Sequence, residues 1–379
     1  MNRTISVLVA LLMASLSGCR SPGRTAPVPA TGAPAPPAAP TTATADEVRA
    51  AGLAWNWEAP PPASTGMPAA DDRDVAFTYG HDHLVVLDAG GRRRWEAARL
   101  GLRDVAPRLT PNLVVAAADD GLVAFRRADG TKVWDTVVGA RANTPVVIGG
   151  LAVTSTWEGQ LLGVGLADGR VVWRMPMPGG SVGPPASDGT AVVVTWQRED
   201  ARVAGALAAE GATGRQRWAV AVEPGGVGGP AVMPDGAVVF VGGDLFAHAL
   251  DLADGRERWR AQLRGAGSPE VPPVAVGPAS VLVAHRLGGL DLLDTASGRR
   301  QWQLATDGIA VRGGPVVGPA GSFAFPLDDG RMVLAGPARP TEFRQAPNRI
   351  SGLAAGPGGL LVAATRGAAV NTVQATPSW

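Results

Sequence analysis

The residues of this chain that could bind a metal ion are His81 and His83, in the sequence GHDH. Side chains two residues apart share one face of a β-strand, and imidazole nitrogens are good zinc ligands. The glycine and aspartate around the pair indicate a turn instead of a strand, so we expect two solvated histidines and no metal site. The chain also lacks a phosphate-binding loop and a CxxC pair, and we assign no catalytic residue.

The only cysteine, Cys19, follows a segment that is typical of an export signal. Arg3 precedes an apolar run over residues 5–16, which is shorter than the roughly 20 residues that a membrane-spanning helix needs. The sequence LSGC that ends at Cys19 resembles the bacterial lipobox. This resemblance implies removal of residues 1–18 as a signal peptide and a lipid on the Cys19 thiol. A general signal peptide followed by a free thiol is the alternative.

Residues 19–52 have the composition of a linker. They contain seven prolines between Pro22 and Pro40 and almost no large apolar side chain. Proline-rich segments favour the polyproline II conformation, which would give this stretch a reach of up to roughly 100 Å. We expect a lipid-anchored linker that holds the folded part of the chain away from the membrane.

A repeat of about 40 residues dominates the rest of the sequence. Six tryptophans each follow a glycine by four residues, and successive ones are 39, 39, 45, 41 and 43 residues apart. Phenylalanine takes this position in the seventh unit, and a further tryptophan precedes the first unit by 38 residues. The repeat aromatics are Trp57, Trp95, Trp134, Trp173, Trp218, Trp259, Trp302 and Phe343. We expect these side chains to be structural, buried between neighbouring units.

Each unit also opens with a proline, which short β-type runs and Gly/Asp-rich turns follow. The prolines are Pro68, Pro107, Pro145, Pro185, Pro230, Pro273 and Pro315. Proline donates no hydrogen bond to a sheet, so a sheet tolerates it at the beginning of a first strand. We therefore predict one four-stranded antiparallel meander in each unit.

Units of this length with a recurrent tryptophan are typical of a β-propeller. An eighth unit begins near Ile350 but lacks an outer strand. We predict an all-β fold over residues 53–379, an eight-bladed propeller of four-stranded blades that the amino-terminal strand closes. In this prediction the run LAWNWE, with Trp57, completes the last blade and removes an exposed sheet edge. Trp379 is the alternative occupant of that position.

The sequence AHALDLADGRERW around Trp259 resembles the tryptophan-docking motif of pyrroloquinoline-quinone-type (PQQ-like) propellers, and fragments of it surround Trp218 and Trp302. Within this family the chain is similar to the BamB-type lipoproteins. That resemblance implies an eight-bladed, non-enzymatic scaffold without a cofactor. Quinoprotein dehydrogenases of the same superfamily use adjacent cysteines in a disulfide, a calcium ion and an aspartate base. This chain has no cysteine besides Cys19.

Two tryptophans outside the repeat, Trp157 and Trp196, follow the prolines of neighbouring units by 12 and 11 residues. This spacing predicts that both lie in second-to-third-strand turns on one rim, beside a charged stretch that contains Arg198. Tryptophan and arginine are enriched in interface hot spots, so we expect a partner surface at Trp157, Trp196 and Arg198. The alternative is that both indoles fold back over the sheet edges.

Composition limits the classes of function. The 34 basic and 33 acidic residues nearly cancel, which argues against nucleic-acid binding, and 46% hydrophobic residues exclude global disorder. We expect an extracytoplasmic monomer, anchored to the bacterial cell membrane or outer membrane through Cys19, that binds an envelope protein partner. A propeller that binds or senses a small molecule or glycan is the alternative, and a PQQ-dependent quinoprotein has less support.

Overall fold

The computed structural model of the chain describes most of residues 54–376. The described ranges are 54–61, 63–181, 183–198, 203–222, 228–263, 271–285, 289–305, 314–318, 321–327, 330–336, 339–345, 349–356, 360–366 and 371–376. The expected signal peptide, linker and lipidation site at Cys19 lie outside the described residues, as does Trp379.

Every regular element within these ranges is a β-strand, as the sequence predicts. The strands are β1 (Trp55–Glu58), β2 (Ala69–Ala70), β3 (Asp74–Tyr79), β4 (His83–Asp88), β5 (Arg93–Ala98), β6 (Arg108–Leu109), β7 (Leu113–Ala117), β8 (Gly121–Arg126), β9 (Lys132–Val137), β10 (Val146–Ile148), β11 (Leu151–Ser155), β12 (Gln160–Gly165), β13 (Val171–Pro176), β14 (Gly180–Ser181), β15 (Ala186–Ser187), β16 (Ala191–Gln197), β17 (Ala204–Glu210), β18 (Gln216–Val222), β19 (Ala231–Val232), β20 (Ala237–Val241), β21 (Phe246–Asp251), β22 (Glu257–Gln262), β23 (Val274–Ala275), β24 (Ser280–His285), β25 (Gly289–Asp294), β26 (Arg300–Ala305), β27 (Val316–Val317), β28 (Phe323–Pro326), β29 (Arg331–Gly336), β30 (Arg339–Gln345), β31 (Arg349–Ala355), β32 (Leu361–Arg366) and β33 (Asn371–Thr376). In this part of the chain no helix is long and apolar enough to cross a bilayer.

The described strands form eight antiparallel sheets, seven of them built from strands that are consecutive in sequence. Sheet 1 contains β2–β5, sheet 2 β6–β9, sheet 3 β10–β13, sheet 4 β14–β18, sheet 5 β19–β22, sheet 6 β23–β26, sheet 7 β27–β30, and sheet 8 β31–β33 with β1. Sheet 4 departs from the predicted four strands, because β14 and β15 both pair with β16. In sheet 8, β1 runs antiparallel to β33, with Trp55 opposite Ala375.

The predicted role of the prolines is confirmed. In sheets 1 to 7 the proline of the unit lies immediately before a short strand, as Pro107 does before β6 and Pro145 before β10. This strand is the first of its sheet except in sheet 4, where Pro185 precedes β15, and we call β15 the first strand of sheet 4 below. Proline therefore occupies the last residue before the sheet ladder begins, where its missing N–H leaves no gap in the hydrogen-bond pattern.

The hydrophobic core is divided into clusters that lie between consecutive sheets. On β7, Val114 and Ala116 belong to the cluster shared with sheet 1, whereas Val115 and Ala117 belong to the cluster shared with sheet 3. Both faces of the middle strands are buried in this way, which explains why these strands are continuous apolar runs in the sequence. One further cluster joins sheet 8 to sheet 1 and includes Trp57.

The first strands of consecutive sheets lie side by side. Strand β19 lies beside β15 and β23, and β27 lies beside β23 and β31. Strand β31 of sheet 8 also lies beside β2 of sheet 1, and β2 lies beside β6. The first strands of the last and the first sheet are therefore neighbours as well.

Repeat tryptophans pack against the sheet that follows their own. The Nε1 of Trp95 donates a hydrogen bond to the carbonyl of Arg127 at 2.8 Å, and its ring covers Gly130. A Cβ at Gly130 would lie 2.6 Å from the ring, and its φ of +74° also favours glycine. The same bond joins Trp134, Trp173, Trp218 and Trp259 to Leu166, Gly211, Leu252 and Thr295. The repeated tryptophan and glycine thus connect neighbouring sheets.

The structure corrects the assignment of Trp57 to this docking position. Trp55 makes the equivalent contacts: its Nε1 donates to the carbonyl of Ala89 at 3.0 Å, and its ring covers Gly91. Trp57 is buried in the same cluster and packs edge-on against Phe77. The two tryptophans share one face of β1, so the pairing of β1 with β33 decides which of them reaches the glycine.

The backbone pairing of Phe343 in the seventh unit matches that of the repeat tryptophans in the other units. Phe343 pairs with Val333 on the third strand, just as Trp302 pairs with Leu292 in the sheet before. The contacts of the Phe343 side chain lie outside the described residues, and its docking role stays a prediction.

Candidate binding surface

Among the described residues, Trp157 is the exposed tryptophan, and it lies on the rim formed by second-to-third-strand turns and by the loops that connect consecutive sheets. Trp157 lies in the turn between β11 and β12, as predicted, and is 47% exposed. The guanidinium carbons of Arg103 and Arg141 lie 4.5 and 4.6 Å from the centre of its ring. We call Trp157, these two arginines, Asn143 and Glu158 the Trp157 surface.

A buried amide holds the indole in place. The Nε1 of Trp157 donates a hydrogen bond to Oδ1 of Asn143 at 3.2 Å, and Asn143 is only 4% exposed. The Asn143 Nδ2 in turn donates to Oγ of Ser155 at 3.2 Å, and the backbone N–H of Asn143 donates to the Ser155 carbonyl. The ring is therefore exposed but fixed in orientation, which reduces the entropy lost when a partner packs against it.

The two arginines of the Trp157 surface differ in their hydrogen-bond partners. Arg141 donates to Glu158 through its Nε and its backbone N–H, both at 2.9 Å. Burial raises the pKa of Glu158, but these hydrogen bonds outweigh burial and hold the pKa below its ordinary value. Arg103 differs: its Nε has no hydrogen-bond partner among the described residues, and burial lowers its pKa. Arg103 is thus a partly buried cation with an unused donor beside an exposed ring.

Trp196 does not belong to this surface, contrary to the prediction. It is 4% exposed and packs in the cluster between sheets 3 and 4, over Gly205. Strand β16 continues through Trp196, which pairs with Ser181 of the additional strand β14, so the predicted turn begins later. Val192, Val194 and Trp196 alternate along β16 and all lie in this cluster. The continuous apolar run AVVV that leads to Trp196 was the sequence signal for a strand buried on both faces.

Arg198 is exposed, one residue beyond the end of β16. Its backbone N–H donates a hydrogen bond to the Val203 carbonyl. Residues 199–202 of the charged stretch lie outside the described residues. A contribution of Arg198 to a partner surface stays a prediction.

Arg103 and Arg141 are not among the residues predicted from the sequence, although the repeat contains a signal for them. Arg103 precedes Pro107 by four residues, and Arg141 precedes Pro145 by four. The two arginines therefore occupy the same position of neighbouring units, in the loops that lead to β6 and β10. Alignment on the prolines places them on the same rim as Trp157.

The two histidines in GHDH lie at the predicted turn of sheet 1. His81 is in the turn with φ of 62°, and its Nε2 lies 3.6 Å from Oδ2 of Asp104. His83 is the first residue of β4, with Nδ1 2.6 Å from Oδ1 of Asp82 and its ring stacked on Tyr79. Each histidine has its own carboxylate partner.

The residues present do not fit a quinone cofactor of the kind that the superfamily uses. The chain has one cysteine and so no adjacent pair that could form a disulfide against the quinone. Within the ranges that the structure describes, no group of three or more His, Cys, Asp or Glu side chains is arranged to hold a metal ion. We therefore derive no quinone chemistry for this chain.

Comparison with protein families gives one match. The family model described as "Outer membrane protein assembly factor BamB" matches residues 44–193, 123–211 and 199–339. Comparison with curated protein sequences gives no significant match.

Several solved structures share the fold. BamB from Moraxella catarrhalis is 15% identical, with a TM-score of 0.63 over 81% of this chain and 96% of that chain. The computationally designed protein Ika8 is 11% identical, with a TM-score of 0.69 over 82% and 96%. The carboxy-terminal WD40 domain of Sif2 is 12% identical, with a TM-score of 0.63 over 83% and 95%. At these identities the similarity concerns the fold alone.

Proposed function

We propose, because this chain belongs to the family of the outer membrane protein assembly factor BamB, that it is a non-enzymatic protein-binding scaffold in the bacterial cell envelope. The observation that carries this proposal is the Trp157 surface, an exposed indole fixed between two arginines. Tryptophan and arginine dominate the binding energy of many protein interfaces. The fitting partner is a protein segment that offers an apolar side chain to the ring and a carboxylate or main-chain carbonyl to Arg103.

The scaffold is proposed to be a closed eight-bladed propeller over residues 53–379. Three observations support this architecture: the described strands form eight sheets, β2 of the first sheet lies beside β31 of the last, and a core cluster joins these two sheets. The pairing of β1 with β33 supports closure by the amino-terminal strand, which would cover the edge of β33. We propose that this propeller is a monomer.

Residues 1–18 are proposed to be a lipoprotein signal peptide and residues 19–52 a linker anchored by lipid on Cys19. The LSGC sequence and the seven prolines support this organisation. The protein would then act outside the cytoplasm, on the cell membrane or the outer membrane.

Removing the Cys19 thiol tests the anchor. We expect Cys19→Ala to abolish incorporation of an alkyne-tagged fatty acid in cells, because the thioether needs the sulfur. Mass spectrometry of the wild-type amino-terminal peptide is expected to give a lipid-modified Cys19. Ser21→Ala serves as the control and should be labelled like the wild type. Equal labelling of Cys19→Ala and wild type would contradict the proposal.

Removing the exposed indole tests the protein-binding surface. We expect Trp157→Ala to reduce the partner protein captured by crosslinking in intact cells by about tenfold or more, because hot-spot tryptophans contribute about 2 kcal/mol or more. Quantitative mass spectrometry of the captured proteins is the measurement. Val172→Ala removes part of another exposed apolar side chain, on an outer strand, and should change little. Undiminished capture by a folded Trp157→Ala protein would show that partners bind elsewhere.

A further inference from the structure

A cavity lies at the ends of the first strands of sheets 2, 3 and 4. Its volume is about 390 Å³, and it is lined by residues 108–111, by Val146 and Val147, and by Ser187 and Gly189. This volume is at the lower end of the range typical of small-molecule sites. The Trp157 surface is built from loops that precede the first strands and from the turn between β11 and β12. The cavity is lined by first strands and by the turns that follow them, so the two features are separate.

Arg108 is the charged group of the cavity. Its Nε donates a hydrogen bond to the carbonyl of Pro145 at 2.9 Å. No other hydrogen bond or ion pair of its side chain occurs among the described residues, and burial alone lowers its pKa. Arg108 is partly buried. Arg127, the buried arginine of sheet 2, instead has Asp71 and Asp74 within hydrogen-bond distance. A guanidinium that is taken out of water without a counter-ion costs stability, and a bound anion would offset that cost.

The remaining groups that line the cavity indicate which chemical groups such an anion would contain. The Oγ of Ser187 accepts a hydrogen bond from the Gly189 N–H at 2.8 Å, and its own O–H has no acceptor among the described residues. The hydroxyl of Thr110 differs, because it both donates to the Leu113 carbonyl and accepts from the Leu113 N–H. Leu109, Pro111, Val146 and Val147 supply the apolar part of the lining.

We propose that this cavity binds a small organic carboxylate with an apolar body, held by the Arg108 guanidinium. The two oxygens of a carboxylate match the planar fork of a guanidinium, and Ser187 supplies a further donor. One cation and one hydroxyl suit a monoanion, and the apolar wall suits a short aliphatic or aromatic body. This inference goes beyond the scaffold function, since it assigns a ligand class to a different part of the fold.

Calorimetric titration of the full-length, lipidated protein in detergent tests the proposal, with hexanoate and benzoate as probes. We expect saturable binding of at least one probe, and binding at least about tenfold weaker for hexanamide and benzamide, which lack the charge. Arg108→Gln should weaken carboxylate binding by about tenfold or more. Arg170→Gln removes a highly exposed arginine and should leave binding unchanged.

A second variant keeps the proposal testable if Arg108→Gln fails to fold. Val147→Phe narrows the cavity and retains the cation, and we expect it to weaken carboxylate binding while inorganic phosphate binds neither protein. No saturable binding of either carboxylate, equal binding of the amides, or unchanged binding by both variants would overturn the proposal. Tighter binding of phosphate than of carboxylate would overturn the ligand class. Because partner capture through Trp157 is measured separately, failure here leaves the scaffold proposal standing.

Discussion

Replacing Trp218 with alanine is expected to lower the free energy of unfolding by about 3–5 kcal/mol, the usual cost of truncating a buried aromatic side chain. Trp218 is 7% exposed, and its Nε1 donates a hydrogen bond to the Leu252 carbonyl of the next sheet at 2.9 Å. The substitution removes packing between sheets 4 and 5 and leaves that carbonyl without its donor. Urea unfolding followed by tryptophan fluorescence and circular dichroism measures the change.

The same truncation at an exposed position is the matched control. Trp157→Ala deletes an identical group from a half-exposed position and should lower the urea midpoint much less than Trp218→Ala does, because little buried packing is lost. Gly255→Ala tests the other half of the contact, because a Cβ there would lie 2.8 Å from the Trp218 ring and the φ is +76°. We expect Gly255→Ala to destabilise the protein in the same direction as Trp218→Ala. Similar midpoints for Trp218→Ala and Trp157→Ala would contradict the docking role.

Replacing Arg127 with methionine is expected to destabilise the protein by about 3–5 kcal/mol, because it leaves a buried carboxylate without its main partner. The Nε of Arg127 donates to Oδ2 of Asp74 at 2.6 Å, and an Nη donates to Oδ1 of Asp71 at 2.7 Å. Arg127 and Asp74 are 5% and 1% exposed. The network connects sheet 2 to sheet 1. Two further cations lie near Asp74: the Nε of Arg94 is 2.8 Å from Oδ1, and an Nη of Arg73 is 3.9 Å from Oδ2.

A neighbouring arginine provides the control for this prediction. Arg126 pairs with Asp129 at 3.0 Å, but both side chains are about half exposed, and exposed pairs contribute little to stability. Arg126→Met should therefore leave the urea midpoint nearly unchanged. Equal midpoints for Arg126→Met and Arg127→Met would show that the buried network does not stabilise the contact between the sheets.

The same network gives stability a defined dependence on pH. Burial raises the pKa of Asp71, but hydrogen bonds from Arg127 and from two backbone N–H groups outweigh burial and hold the pKa below its ordinary value. A carboxyl with a lower pKa in the folded state stabilises fully above the unfolded-state value of about 3.9, and less as pH falls through the folded-state pKa. We expect the difference in urea midpoint between wild type and Asp71→Asn to be largest near neutral pH and to decrease in acid.

Much of the fold could be predicted from the sequence because its determinants are local. The prolines mark the starts of the first strands, the glycines mark turns, and continuous apolar runs mark middle strands that are buried on both faces. The candidate site was predicted only in part. Trp157 lies in the expected turn, whereas Trp196 lies inside the core, because β16 extends further than its neighbours and pairs with β14.

By itself, the sequence determined the repeat, the strand order within each unit and the positions of tryptophan and glycine, since these depend on period-two patterns and turn chemistry. The tertiary structure decided which of two residues of the same type makes a given contact. Trp55 instead of Trp57 reaches Gly91, and Arg127 has two carboxylates nearby whereas Arg108 faces a cavity. These differences arise from the register and packing of strands that are distant in sequence, which no local pattern encodes.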